Sequence, residues 1–410
     1  MTASETQLDI AAEVGVKSDP QVRVALVHDW LTGMRGGEKV LELLCRRFPA
    51  APLWTLVHFQ GEVSDTIAKR PIHTSPLQHM PMVKKAYRHY LPFFPLFAEM
   101  NKAKGADLVI STSHAVAKSM VKRSGNRRPY HICYIHTPMR YAWDMFDDYF
   151  GADRVGWFAS NFVFRPVVKM LRFYDARTVD RVDLFLANSN YVADRVHRVY
   201  RRHADVLAPP VDTERFAAAK REPEDWYLVV SALVPYKRVD HAIRACAQLG
   251  AKLRIVGKGP ETVALKKLAS SLNANVEFVG FASDEDLVEF YRKAKALLFT
   301  GVEDFGIVPV EAIACGCPVI ALGVGGILDS MTEKTAVFYT EETVEGLTAA
   351  MQDFEARVGE FEVRELRTRA AFFSEENFLL RLEAILLRVQ PDLYPAPVPV
   401  GLDYRLNAAD

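Results

Sequence analysis

Two long stretches of this chain alternate short apolar runs with longer amphipathic ones, and little else can fold from that pattern. In the first stretch, Val22–His28 reads as a buried strand and Glu38–Phe48 as a helix with Val40, Leu41, Leu44 and Cys45 inward. Further strand candidates are Leu53–Phe59, Asp107–Ser111, His131–Ile135 and Asp183–Ala187. The character changes after "VLAPPVDTERF" (206–216), and "KREPEDW" (220–226) is polar and broken by proline. The alternation then restarts. Strands are expected at Tyr227–Ser231, Leu253–Val256, Val276–Val279, Leu297–Thr300 and Val319–Ala321. Helices are expected between them at Asp240–Leu249, Thr262–Leu272, Asp284–Ala294 and Pro309–Ala314. Strands alternating with helices of this length imply βαβ units and parallel sheets. The expectation is α/β: two doubly wound domains in tandem, 21–212 and 213–374, facing a cleft, with a helix at 375–390 that can cross back onto the first. Ligands in such sheets sit at the carboxyl ends of the strands, near helix N-termini.

The chain has 410 residues, half hydrophobic and a quarter charged, too many for one ordinary core. Net charge is zero but unevenly placed: residues 1–212 hold 29 Lys and Arg against 21 Asp and Glu, and the remainder 22 against 30. A basic first half suggests that it faces something anionic. Five cysteines, an odd number in a long chain, fit a reducing compartment better than a disulfide framework. Cys315-Gly-Cys317 lacks a second cluster to complete a metal site, so no metal and no cofactor are expected. Residues 1–20 read as a polar tail, not a signal peptide. No run reaches the ~18 apolar residues of a spanning helix. A cytoplasmic protein is expected, with peripheral binding to the inner face of the membrane as its closest approach to lipid, and no nucleic-acid partner.

In "GVEDFGIVPVEAIACGCPVIA" (301–321), Glu303 follows an expected strand and Glu311 is expected in the first turn of the next helix, behind Pro309 at its start. Both carboxylates would then face the cleft. Gly306 allows close approach to the backbone, and free N–H groups at the helix start favour an anion. Carboxylates for hydroxyls beside amides for phosphate suit a nucleotide sugar. The spacing also fits Glu311 stabilising its own helix dipole, with Glu303 solvated.

Other stretches bear on the choice. "MRGGEKV" (34–40) places Gly36 and Gly37 between the first strand and its helix, without the full G-x-G-x-x-G fingerprint. "ALVPYKRVD" (232–240) places Lys237 and Arg238 after the first strand of the second domain, where phosphates are held. "YIHTPMRYAWD" (134–144) places His136 after a buried strand, followed by Arg140, Tyr141, Trp143 and Asp144 as a polar and aromatic surface for sugar. A plain turn, a solvated basic loop and a core histidine are the bland alternatives.

"EDFGIVPVEAIACGCPVIA" resembles the donor-binding signature of the retaining glycosyltransferases of family 4, which have the GT-B fold of two Rossmann-like domains. The Gly36-Gly37 loop, "ANSNYVADRV" (187–196), "LAPPVDTERF" and "LVPYKRVD" match that family in order, over roughly residues 22–390. "VHDWLTGMRGGEKVLE" and "IHTPMRYAWD" are similar to a subgroup of bacterial surface-polysaccharide mannosyltransferases. The resemblance implies an acceptor-side first domain and a donor-binding second domain. It implies that Glu311 would hold the ribose, that Glu303 with the backbone of Phe305, Gly306 and Ile307 would hold the donor sugar, and that Lys237 would neutralise the diphosphate. Gly36 and Gly37 would approach that diphosphate, with Arg238 a further candidate, and His136 would sit against the transferred sugar. Arg140, Tyr141 and Asp144 would face the acceptor. His136, Glu303 and Lys237 are thus the implied catalytic residues. The donor implied is GDP-mannose and the acceptor a lipid-linked glycan. One departure stands out: the family's usual arginine in the loop before Lys237 is Ala232 here. A transferase acting on soluble sugars, an epimerase on the same fold and a non-catalytic nucleotide-sugar-binding protein are the alternatives.

Two segments mix basic and aromatic residues. "MVKKAYRHYLPFFPLFAEMNKAKG" (82–105) joins Lys84, Lys85, Arg88, Lys102 and Lys104 to Tyr87, Tyr90, Phe93, Phe94 and Phe97. "GWFASNFVFRPVVKMLRFY" (156–174) joins Arg165, Lys169 and Arg172 to Trp157, Phe158, Phe162 and Phe164. Such segments suit an anionic membrane surface, or are core-packed connections with solvated lysines.

Overall fold

A computed structural model describes residues 22–121, 128–217 and 220–389; the expected polar tail lies outside them. The first sheet is built from β1 (Val24–His28), β2 (Leu53–Thr55), β3 (Ile72–Thr74), β4 (Leu108–Ser113), β5 (Tyr130–Ile135), β6 (Leu184–Ala187) and β7 (Ala204–Val206). The second holds β8 (Tyr227–Val230), β9 (Leu253–Val256), β10 (Val276–Gly280), β11 (Leu297–Phe299), β12 (Val319–Leu322) and β13 (Ala336–Tyr339). Their orders are β3-β2-β1-β4-β5-β6-β7 and β10-β9-β8-β11-β12-β13, and every pairing is parallel. This is the α/β, doubly wound architecture expected. The strands not anticipated are β3, β7 and β13. The first two are three-residue strands at the edges of their sheet, with too few inward positions to show as an apolar run.

The helices that place functional residues are α1 (Gly36–Arg47), α2 (Arg165–Arg177), α3 (Asn190–Tyr200), α4 (Val239–Leu249), α5 (Asp284–Lys293), α6 (Ile307–Ala314) and α7 (Glu375–Val389). Helix α1 buries Val40, Leu41, Leu44 and Cys45, the expected stripe. Helix α7 brings Phe378, Leu382 and Leu386 into the core that holds Leu26, Leu41 and Leu53. Arg46 pairs with Glu375 at 2.7 Å and Arg47 with Glu383. The chain's last described helix therefore packs on the first sheet's side. Val211 and Phe216 pack instead with Trp226, Leu297 and Phe373 in the second core. All five cysteines are buried free thiols. Among the described residues no helix is long and apolar enough to cross a membrane.

Candidate active site

Each sheet reverses its strand order beside its first strand, between β1 and β4 and between β8 and β11. The crevice at such a switch point opens at the carboxyl ends of the strands, and the loops that leave these ends carry most of the predicted site residues.

On the first wall, β1 runs into His28 and Asp29, and α1 begins at Gly36. A Cβ on Gly36 would lie 2.8 Å from Ile307 Cδ1, and one on Gly37 would lie 3.3 Å from His136 Nε2. The glycine pair lets the second domain and His136 both reach the start of α1. His136 Nε2 is buried without a hydrogen-bond partner. Burial, with repulsion from His114 and His28, pushes the imidazolium down to about 3, so the ring is neutral at physiological pH. The fully buried Asp29 carboxylate accepts four backbone N–H bonds, from His114 (2.7 Å), Ala115 (3.0 Å), Val116 (2.7 Å) and Ala117 (2.6 Å). That cradle of amides fixes the loop after β4.

On the second wall, Gly306 caps α6 at φ +88°, a conformation that L side chains rarely adopt. The helix starts at Ile307, two residues earlier than expected. Pro309 is its third residue, and Glu311 lies in the second turn, not the first. Proline is tolerated there because the first four N–H groups of a helix have no internal acceptor. The shift removes the reading of Glu311 as a dipole cap. Its carboxylate is buried, accepts the Tyr291 hydroxyl at 3.0 Å, and lies 3.9 Å from Lys39 Nζ of the first domain. Burial holds the Glu311 carboxyl above its ordinary range, against the opposing pull of Lys39 and Tyr291.

Glu303 pairs with Lys237, so two residues predicted for one donor site meet. Thr300 Oγ1 donates to the Lys237 carbonyl at 2.7 Å and secures that loop. The Phe305 ring is in the core against Phe373, which leaves only its backbone for a ligand. Arg238 engages Glu342 at 2.7 Å. Ala232 lies in the loop after β8, where the Ser231 hydroxyl donates to its carbonyl at 3.1 Å. The Gly325-Gly326 loop escaped sequence reading. Gly326 N–H donates to the Glu303 carbonyl at 2.9 Å, and a Cβ there would lie 2.1 Å from the Asp304 carbonyl oxygen. Only glycine lets this loop press against the Glu303 backbone.

Of the residues expected to face an acceptor, Arg140 and Asp144 hold ion pairs within the protein. Arg140 Nε donates to Asp304 Oδ2 at 2.9 Å across the cleft. Asp144 pairs with Arg195 at 2.7 Å and Arg198 at 3.2 Å. The Tyr141 hydroxyl is buried without a hydrogen-bond partner, and Trp143 Nε1 donates to Asp175 at 2.8 Å. Arg195 also reaches Asp304 Oδ1 and Thr137 Oγ1, at 2.6 and 2.7 Å. At the start of α3, Asn190 N–H donates to Asp329 at 2.6 Å. In these bridges Lys39, Arg140 and Arg195 of the basic half meet Glu311 and Asp304 of the acidic half. Part of the charge split in the sequence is therefore answered within the molecule. Lys39 and Asp304 adjoin predicted residues, but no local signal marks them. Among the described residues no group of three or more His, Cys, Asp or Glu is arranged to hold a metal ion.

The chain is similar to known proteins in sequence and in fold. The sequence model described as Glycosyltransferase Family 4 matches residues 34–215, and that described as Glycosyl transferases group 1 matches residues 210–368. A D-inositol 3-phosphate glycosyltransferase of Mycolicibacterium smegmatis is 32% identical over 175 residues, covering 37% of this chain and 40% of that protein. A GDP-mannose-dependent monoacylated alpha-(1-6)-phosphatidylinositol monomannoside mannosyltransferase of Corynebacterium glutamicum is 30% identical over 195 residues, covering 41% and 51%. The chain thus spans about half the length, or less, of these curated relatives. A crystal structure of Anabaena HepE in complex with UDP and glucose superposes with a TM-score of 0.65 at 15% identity, covering 89% of this chain and 99% of that one. Two glycosyltransferase models that overlap at residues 210–215 and together match residues 34–368, with two parallel sheets and a cleft between them, lead to one conclusion: the chain carries a Glycosyltransferase Family 4 region followed by a Glycosyl transferases group 1 region and has the GT-B fold.

Proposed function

We propose that the protein is a retaining glycosyltransferase that moves mannose from GDP-mannose onto a lipid-linked glycan at the inner face of a membrane. One observation carries this reading: Lys237, Glu303 and Glu311 gather at the start of α6, where Ile307 abuts the Gly36-Gly37 turn beside His136. The Lys237–Glu303 pair would open on a ligand, the ammonium to the diphosphate and the carboxylate to sugar hydroxyls. Glu311 would take the ribose. The N–H groups of Ile307 and Val308 lack helical acceptors and suit phosphate oxygens. The bond between the anomeric carbon and the diphosphate breaks as the acceptor oxygen bonds on the same face. A leaving phosphate oxygen takes the acceptor proton, so configuration is retained. Negative charge grows on the diphosphate, so preorganised donors are the main source of rate. The neutral His136 ring would hydrogen-bond the transferred sugar. The relative from Corynebacterium supports GDP-mannose as donor, and HepE with UDP and glucose supports a nucleotide-sugar site. Incubating the pure protein with a panel of nucleotide sugars tests this. GDP-mannose should be consumed, and no turnover of any donor would reject it.

Ala232 favours a second reading, a binding protein with impaired catalysis. If the loop lacks one phosphate contact, Ala232→Arg should tighten GDP about tenfold or more, because a hydrogen bond to a charged group is worth ~1.5–3 kcal/mol. GMP should gain much less. Calorimetry on both nucleotides decides, and unchanged GDP affinity would remove the idea of a gap.

For the membrane, the two basic-aromatic segments behave differently. Tyr87, Phe94 and Phe97 pack in the core with Val168 and Leu171, so in 82–105 the exposed apolar residues are Met82, Phe93, Leu96 and Met100. The later segment presents Trp157 (65% exposed), Phe158 (68%), Phe162 (60%) and Phe173 (66%). Exposed Lys84, Lys85, Arg88, Arg165 and Lys169 accompany them. The Tyr174 hydroxyl bonds Glu99 at 2.8 Å and ties the segments together. Large apolar exposure beside cations matches the interface of an anionic bilayer. Vesicles containing phosphatidylglycerol should co-sediment the protein at low salt and release it as salt rises. Lys84, Lys85 and Arg88 changed to Glu should weaken binding, and so should Trp157→Ser with Phe158→Ser. Absence of co-sedimentation at low salt would favour a soluble acceptor.

A further inference from the structure

Asp304 is buried beside Glu303, and its carboxylate is held by two guanidinium groups of the other domain. Arg140 donates to Oδ2 and Arg195 to Oδ1, at 2.9 and 2.6 Å. Arg195 is itself mostly buried; it donates to Thr137 Oγ1 and is balanced by Asp144 at 2.7 Å. A continuous path therefore runs from His136 through Thr137, Arg195 and Asp304 to Glu303. We propose that Asp304 is a positioning residue, the latch that sets the register between the His136 wall and the Glu303 wall when the domains close. The proposal rests on the transferase reading for its rate readout, and on geometry alone for its shape readout.

The physical case is one of discreteness. A buried carboxylate (Asp304), a buried guanidinium (Arg195) and a second guanidinium only partly exposed (Arg140) tolerate only arrangements in which each keeps its partner, since an unpaired buried charge is costly. The latch is therefore made or broken, and does not slide. Reaction rates respond steeply to register: a misplacement of about 1 Å lowers the rate roughly 100-fold. The donor nucleotide, by contrast, would rest on Glu311, Lys237 and the start of α6, none of which bonds Asp304. Loss of the latch should separate binding from turnover.

The test combines substitutions and scattering. Asp304→Asn should keep GDP affinity within about threefold in calorimetry, while kcat with GDP-mannose falls at least tenfold and its KM changes less. Asp304→Glu keeps the charge with one added methylene and should lose less kcat than Asp304→Asn. Adding Arg195→Ala to Asp304→Asn should cost no more than about threefold beyond the worse single variant. Small-angle scattering on the ligand-free protein should give a larger radius of gyration for Asp304→Asn than for wild type. Full kcat in Asp304→Asn, additive losses in the double variant, or loss of GDP binding in proportion to kcat would overturn the latch. If wild type turns over no donor, the transferase reading fails; scattering then decides, and an unchanged radius of gyration overturns the latch as well.

Discussion

Glu303→Ala is expected to lower turnover by one to two orders of magnitude while the protein still folds and binds nucleotide. The carboxylate is only partly buried, and its removal leaves Lys237 at the cleft, within reach of a bound diphosphate, without its carboxylate partner. What is lost is a hydrogen bond from sugar hydroxyls to a charged acceptor, worth ~1.5–3 kcal/mol, and each ~1.4 kcal/mol is tenfold in rate. Glu311→Ala should behave differently. Its carboxylate is buried beneath the cleft and holds the Tyr291 hydroxyl, so its loss should fall chiefly on nucleotide affinity, by about tenfold or more. Steady-state kinetics with GDP-mannose and calorimetry with GDP separate the two. If both variants keep wild-type kinetics and affinity, the donor site is misplaced.

The largest stability effect is expected at Lys118, away from the cleft. Its side chain is 1% exposed and pairs with Asp175, which is wholly buried. The ammonium also reaches the Asp175 carbonyl at 3.1 Å and Thr178 Oγ1 at 3.2 Å, and Asp175 Oδ2 accepts from Trp143 Nε1 and the Tyr200 hydroxyl. Lys118→Met removes the cation and leaves a buried carboxylate with only neutral donors. Breaking such a pair costs ~3–5 kcal/mol, whereas replacing both partners is far less harmful. Lys118→Met should therefore melt several degrees lower, and Lys118→Met with Asp175→Asn should recover most of the loss. Calorimetric melting of the three proteins checks this. A drop below about 1 kcal/mol in the single variant would mean that the pair contributes little. Asp175 lies in the last turn of α2 and holds Trp143, so this core pair also anchors the short helix Arg140–Trp143.

The periodic signals were legible because they act over a few residues. Apolar runs bounded by turn residues locate ten of the thirteen strands among the described residues, and they place Lys237, Glu303 and His136 at strand ends. Edge strands such as β3 and β7 escaped, because three residues make no period. The register of α6 was misread at Pro309, which marks a first turn without saying which of its positions it occupies. In 82–105, aromatic residues of one kind divide between core and surface: Phe94 is buried and Phe93 exposed. Spacing around two prolines cannot separate them.

Alternation of apolar and amphipathic runs, by itself, determined two parallel sheets and the strand ends where a ligand would lie. Only the tertiary structure decided which charges meet: Asp304 with Arg140 and Arg195, and Glu311 with Lys39, from opposite sides of the cleft. Local propensity and periodicity extend over a turn or a strand, whereas these partners are joined by the way two packed domains face each other. That facing is set by packed surfaces, Gly36 against Ile307 among them, and no single stretch of sequence encodes it.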